Sequence, residues 1–173
     1  MKIIKSPFQG CFLLKENIIK DKRGHFSETY NYNLLKEKIN FDFFVQENES
    51  LSRKNVIRGM HYQKEPYSQN KIIRVLSGKI WDIIVDLRPH SLSYLNSYGV
   101  ELSHENRKQL FVPSGFAHGF AVTSNFARVI YKVDKPYEPN LERGFSPFDP
   151  QFNLKWPFLK KESILSEKDS NWP

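Results

Sequence analysis

The stretch Lys79-Ile80-Trp81-Asp82-Ile83-Ile84-Val85-Asp86-Leu87 decides the fold. Successive residues of a β-strand point to opposite faces. Trp81, Ile83, Val85 and Leu87 therefore share one side, and Ile80, Asp82, Ile84 and Asp86 share the other. Two acidic residues on a face that otherwise carries isoleucine imply a polar cavity lined by that face.

Outward from this stretch, residues 56–63, 71–76, 109–112, 119–124 and 127–133 form further short runs rich in Val, Ile and aromatics. Turn residues separate them, among them Pro113-Ser114-Gly115 and Ser124-Asn125. Ser77-Gly78, between two apolar runs, predicts a tight hairpin. One helix is expected over 32–39, where Leu34, Leu35 and Ile39 have helical spacing. A short turn is expected to start at Ser103 as its N-cap, and the tail 149–173 reads as irregular wrapping punctuated by Pro150, Pro157 and Pro173. There is no internal repeat, low-complexity segment or linker. Residues 1–173 are expected to form one all-β domain, an antiparallel sandwich or barrel with few helices. A small barrel of this kind can hold one small ligand.

Composition agrees. A chain of 173 residues buries roughly 70% of its unfolded surface and needs no metal or disulfide staple. No stretch approaches the roughly 20 apolar residues that span a bilayer, and Met1-Lys2-Ile3-Ile4-Lys5 lacks the apolar region of a signal peptide. Cys11 is the only cysteine, which excludes an internal disulfide and suits a reducing, cytoplasmic address. The net charge of +7 raises the question of a nucleic-acid partner. The Lys and Arg residues are scattered, however, and no zinc-finger or RNP-type spacing is present. Beyond a lysine-rich surface, a phosphate-bearing small ligand is the better functional reading, with no nucleic acid and no membrane as partner.

The polar residues that interrupt the strands carry the chemistry. His61 shares a parity with Ile57, Gly59 and Gln63; His118 with Phe116, Phe120 and Val122; Tyr131 with Ala127, Val129 and Val133. Any one of them alone reads as a hydrogen-bonded core residue. Three titratable groups on apolar faces of one barrel read as a site. A zinc or iron centre needs three or more converging ligands, and His61 has no His one or two residues away, while His25, His90 and His104 sit in polar or turn contexts. No metal is expected. Ser114 is not on a nucleophile elbow and Cys11 has no base near it in sequence. Arg23, Arg58 and Lys71 lie beside predicted strands and could grip a phosphate. Since no glycine-rich phosphate loop is present, a diphosphate would be held by side chains.

Arg23, Arg58, His61, His118 and Tyr131 fall within a series of segments: Asp21-Lys-Arg-Gly-His-Phe-Ser-Glu28, Gln46-Glu-Asn-Glu-Ser50, Ile57-Arg-Gly-Met-His-Tyr-Gln63, Val85-Asp-Leu-Arg88, Pro113-Ser-Gly-Phe-Ala-His-Gly-Phe120, Ile130-Tyr-Lys132, Tyr137-Glu-Pro139 with Glu142-Arg-Gly144, and Ser166-Glu-Lys-Asp169. In this order they resemble the dTDP-4-dehydrorhamnose 3,5-epimerases of the cupin superfold. The resemblance implies a metal-free, cofactor-free cupin-type jelly-roll barrel, usually a homodimer. Its substrate would be a nucleotide-diphosphate sugar, dTDP-4-dehydro-6-deoxy-D-glucose, inverted at C3 and C5 to dTDP-4-dehydro-L-rhamnose. By the same resemblance His61 is the general base, Asp169 the carboxylate that orients it, Tyr131 the acid on the opposite face, and Lys71 the enolate stabiliser. Arg23, Gln46, Asn48, Arg58 and His118 resemble groups around the diphosphate and sugar. Glu28 resembles a contact to the base, Glu142 and Lys168 further substrate contacts, and Asp82 and Phe26 supporting residues, Asp82 within the His61 network. Ile18 and Ile19 stand where the family often has an aromatic, and His25 replaces a common Phe, so the departures concentrate near the nucleotide. Epimerisation at one carbon only, another (for example GDP-linked) 4-keto sugar, a 3,4-ketoisomerase and a non-catalytic sugar-binding cupin are the alternatives.

Overall fold

The computed structural model describes residues 1–39 and 41–173. In chain order its elements are β1 (Lys2–Lys5), β2 (Phe12–Lys15), β3 (Ile19–Asp21), β4 (Gly24–Phe26), helix α1 (Tyr32–Lys36), β5 (Gln46–Arg53), β6 (Ile57–Gln63), β7 (Lys71–Ser77), β8 (Lys79–Asp86), β9 (Ser97–Ser103), β10 (Lys108–Val112), β11 (Phe116–Val122), β12 (Phe126–Val133), β13 (Glu142–Gly144) and helix α2 (Glu167–Asn171). One sheet runs β1-β2-β10-β7-β12-β5 and the other β13-β6-β11-β8-β9, while β3 and β4 pair only with each other. Strand neighbours are antiparallel. This is a jelly roll of two facing sheets rather than one closed ring of strands. No helix among the described residues is long and apolar enough to cross a membrane.

Sheets packed face to face stand about 10 Å apart, and interdigitating side chains fill the gap. Here Leu13, Ile73, Val75, Leu110, Val112 and Val129 meet Ile80, Ile84, Leu102, Phe116, Phe120 and Val122. Each sheet is also covered on its outer side. Leu35 and Ile39 pack on Leu14, Ile72 and Phe111, and the tail residues Phe152, Leu154 and Trp156 pack on Met60, Ile83 and Val85. Both parities of β8 are therefore buried, which is why its sequence is apolar on both faces.

Several expectations change. The Ser77-Gly78 hairpin is overturned: β7 and β8 belong to different sheets, so this dipeptide is a crossing between layers. Gly78 has φ +78°, and a Cβ there would collide with the Phe126 carbonyl oxygen and come within 2.9 Å of Ala127 Cα. The helix is shorter than expected, with Asn31 Oδ1 capping the Leu34 amide. At Ser103 there is a turn, in which the hydroxyl accepts from the Asn106 amide at 3.0 Å. The tail holds α2 and a turn of 3-10 helix at Lys160–Glu162. Strand β5 escapes the apolar pattern altogether. Its inward residues Gln46, Asn48 and Ser50 share the face of Tyr131, while outward Glu47 and Glu49 pair with Lys132 and Arg128.

Gly78→Ala combines a positive φ with a backbone collision. A loss of about 3 kcal/mol is expected, lowering the melting temperature by roughly 6–12 °C in a chain of this size. Calorimetry checks this, and an unchanged midpoint would contradict the packing of the crossing.

Candidate active site

At the end of the inter-sheet space where β7 begins, polar side chains replace the apolar filling. Two adjoining hollows of about 300 and about 330 Å³ share His61, Lys71 and Tyr131 in their walls. His61 comes from β6 in one sheet, while Lys71 and Tyr131 come from β7 and β12 in the other. The imidazole and the phenol therefore enter the same space from opposite walls. Gln46, Asn48 and Glu142 line one hollow; Arg58, His118, Lys168 and Asp169 line the other.

A bulge brings Arg58 and His61 together. Strict alternation from Ile57 to Gln63 sets them on opposite faces. The pairing with β11, however, runs from Phe120–Arg58 to His118–His61, so two residues of β6, Gly59 and Met60, oppose Gly119 alone. Gly59 has φ +120°, and a Cβ there would lie 2.6 Å from Gly119 Cα. The glycine permits the bulge, and the bulge lets Arg58 share the cavity face of His61.

His61 Nε2 lies 2.6 Å from Asp169 Oδ1. Asp169 is buried although it sits on short α2, where Ser166 Oγ accepts its amide at 3.0 Å. That cap was legible in sequence as Ser-x-x-Asp. Nδ1 of His61 remains for the cavity, with no hydrogen-bond partner among the described residues. Burial pushes the Tyr131 phenol up, Arg58 pulls it down and Glu142 pushes it up again, so it stays protonated well beyond neutrality. Burial also pushes the Lys71 ammonium down to about 8, against the attraction of Glu142 and Asp82. At the rim, Lys168 and the Tyr137 hydroxyl both donate to Glu142 Oε2. Burial pushes that carboxyl up, but these two donors outweigh it and leave it below its ordinary range. Tyr137 was missed as a site residue. Its signal was its place in Tyr137-Glu-Pro139, and its amide donates to Gln46 Oε1 at 3.1 Å.

Asp82 corrects one expectation. Its Oδ2 lies 2.9 Å from Nε2 of His118, so it backs that imidazole and not the His61 pair. Asp86, which shares its parity, lies outside the cavity and holds Arg88, Ser91 and Ser93 in the following loop. Arg23, Phe26 and Glu28 are also absent from the cavity walls. Arg23 is paired with Asp21 on a side chain 84% exposed, Phe26 is 68% exposed, and Glu28 accepts from Asn31 at 3.1 Å. All three belong to the β3–β4 arm or its root. A larger hollow, about 920 Å³, lies elsewhere, between Gln9, Pro66, His90 and Lys135. Its Asp134 and Arg88 are already bound to Asn70 and Asp86.

The model of the family described as dTDP-4-dehydrorhamnose 3,5-epimerase matches residues 5–173. A dTDP-4-dehydrorhamnose 3,5-epimerase of Methanothermobacter thermautotrophicus is 41% identical over 172 residues, spanning 99% of this chain and 92% of its own. The crystal structure of the Elizabethkingia anophelis dTDP-4-dehydrorhamnose 3,5-epimerase superposes with a TM-score of 0.96 at 40% identity, covering 100% of this chain and 95% of that one. A dTDP-6-deoxy-D-glucose-3,5-epimerase of Legionella pneumophila, solved in complex with dTDP-4-keto-L-rhamnose, gives 0.92 at 38% identity over 98% and 89% of the two chains.

Lys71 is a base whose folded value lies below its unfolded one. The unfolded chain holds that proton more tightly, so below pH of about 8 the charge subtracts stability. The penalty fades as pH climbs from about 8 toward the unfolded value. Lys71→Met is expected to melt above the wild type at pH 7, with the gap closing by pH 10. A lower midpoint at pH 7 would contradict the burial argument.

Proposed function

The chain belongs to the dTDP-4-dehydrorhamnose 3,5-epimerase family, and from that premise we propose how its own residues convert dTDP-4-dehydro-6-deoxy-D-glucose to dTDP-4-dehydro-L-rhamnose. The supporting observation is the facing of His61, backed by Asp169, against Tyr131 on the opposite sheet, with Lys71 beside them. A hydrogen on C3 or C5 is acidic because the C4 ketone can take the charge as an enolate. His61 Nδ1 removes it, and Asp169 stabilises the imidazolium that forms. The Lys71 ammonium stabilises the enolate oxygen, a contribution that is often the largest in such sites. Tyr131 returns a proton from the other wall, which inverts the carbon. A phenol held protonated suits a donor, and hydrogen that leaves and returns as a proton calls for no redox cofactor. Gln46, Asn48, Arg58, His118, Glu142 and Lys168 hold the sugar and diphosphate.

The exposed arm supports a homodimer. Arg23 and Phe26 extend into solvent on a two-stranded ribbon that pairs with no other strand. In this reading they reach the cleft of a second copy, where Arg23 grips phosphate and Phe26 covers the nucleobase. A nucleotide-sugar substrate and one free cysteine favour a cytoplasmic setting.

In heavy water, deuterium is expected at both C3 and C5 of the product by NMR; label at one carbon alone would reassign the chain as a mono-epimerase. His61→Ala is expected to lose about 10²- to 10⁴-fold in exchange rate. Tyr131→Phe is expected to exchange deuterium without inversion, because the His61 imidazolium can trade its proton with heavy water and return a deuteron to the face it came from. The rate should fall above pH of about 8 as Lys71 loses its charge. Mixing Arg23→Ala chains with His61→Ala chains tests the arm: hybrid dimers recover activity if the arm serves the partner, and recover none if each chain works alone.

A further inference from the structure

His61 and His118 stand opposite each other where β6 pairs with β11, and each ring has its own carboxylate, Asp169 at 2.6 Å and Asp82 at 2.9 Å. The two carboxylates are differently placed. Asp169 sits at the start of α2, where Ser166 accepts its amide. Asp82 lies in the middle of β8, wholly buried, and its Oδ1 has no hydrogen-bond partner among the described residues. Native cores seldom retain such an oxygen, because a neutral side chain of the same shape is easier to bury. Its neighbours of the same parity, Ile80 and Ile84, are core residues, so the strand itself does not require an acid here.

We infer that Asp82 is a positioning residue for the reaction: it fixes the His118 ring through Nε2 so that Nδ1 holds an oxygen of the bound sugar nucleotide beside the base, and it lowers the stability of the fold in doing so. His118 shares its hollow with Arg58, His61, Lys71 and Tyr131. Directly opposed residues of paired strands have Cβ atoms about 5 Å apart. The free nitrogen of His118 therefore meets the sugar or the adjoining phosphate rather than the nucleobase. Burial pushes the Asp82 carboxyl up, against the pull of His118 and Lys71. The charge is thus one that the fold carries against its own stability. The inference rests on the epimerase reading above.

The test compares wild type, Asp82→Asn, His118→Ala and the double variant by deuterium exchange with dTDP-4-dehydro-6-deoxy-D-glucose and by thermal melting. Asp82→Asn keeps the shape and a hydrogen bond to Nε2. It is expected to lose about 100-fold in kcat, the scale of a misplaced group, while melting about 2 °C or more above wild type. On the His118→Ala background the same change is expected to alter kcat by less than about twofold, since residues acting as a unit do not add. An Asp82→Asn chain that melts lower or keeps its rate, or losses that multiply in the double variant, overturns the inference. A wild type that exchanges nothing overturns the epimerase reading instead, and a lower-melting Asp82→Asn would then overturn the inference independently.

Discussion

Two sheets facing each other must have the space between them filled, and this chain fills one end of it with charge. Over most of the layer the filling is aliphatic and aromatic. Where β7 begins, Lys71, Asp82, His118, Tyr131 and His61 take its place. Burial works against the charged forms of Lys71, Asp82 and Tyr131 alike. These groups persist because the rest of the layer is well packed and because strands fix them where no loop could. Hydrogen-bonded pairing sets the height of His61 against His118, and of Asn48 against Tyr131. The gap between the sheets sets the distance from imidazole to phenol. The proposed base and acid lie across one sugar ring because they lie across one β sandwich.

That arrangement also decides what the sequence could reveal. Strands β7, β8, β10, β11 and β12 were legible because their inward faces are apolar. Strand β5 was not, since Gln46, Asn48 and Ser50 line the cavity and its outward acids serve ion pairs. The polar wall of a site erases the pattern that would reveal the strand carrying it. Ser77-Gly78 misled because a dipeptide that joins two layers looks, in one dimension, like one that joins two neighbours in a sheet. Arg58 needed the bulge at Gly59 and Met60 to reach the face of His61, and no two-residue period contains a bulge. The parity of Asp82 was read correctly, but its partner was not. Parity names a face, whereas only the register of β8 against β11, which pairs Asp82 with Phe120 and Ile84 with His118, brings that carboxylate to His118.

The arm obeys different physics. Among the described residues Lys22 and Arg23 at its tip make no hydrogen bond outside their own ribbon, while its root is tied firmly. Buried Glu16 accepts from Arg74 at 2.7 Å, Gln109 at 3.1 Å and Ser27 at 3.2 Å, and Gln109 also donates to the Thr29 carbonyl at 2.9 Å. A carboxylate removed from water is stable only with several such partners. The network fixes where the arm leaves the sheet and leaves its far end free to meet another surface. Phe26 and Ile19 lie opposite each other on this ribbon and are both exposed, and the proposed dimer would cover them.

The division between strands and arm bears on how such a chain could change its substrate. The groups proposed to transfer protons are locked by register and by burial, so a substitution among them disturbs packing, pairing and charge together. Residues on the arm are exposed and bear on few others. Ile18, Ile19 and His25, read in the sequence as departures from the pattern the chain resembles, all fall there, and His25 Nε2 accepts from Arg107 at 3.1 Å, adding a tie to the root of the ribbon. If the arm grips the nucleotide as proposed, a fold built in this way can alter that grip one exposed residue at a time. The cavity can keep its chemistry throughout, because the two tasks draw on different parts of the stability of the protein.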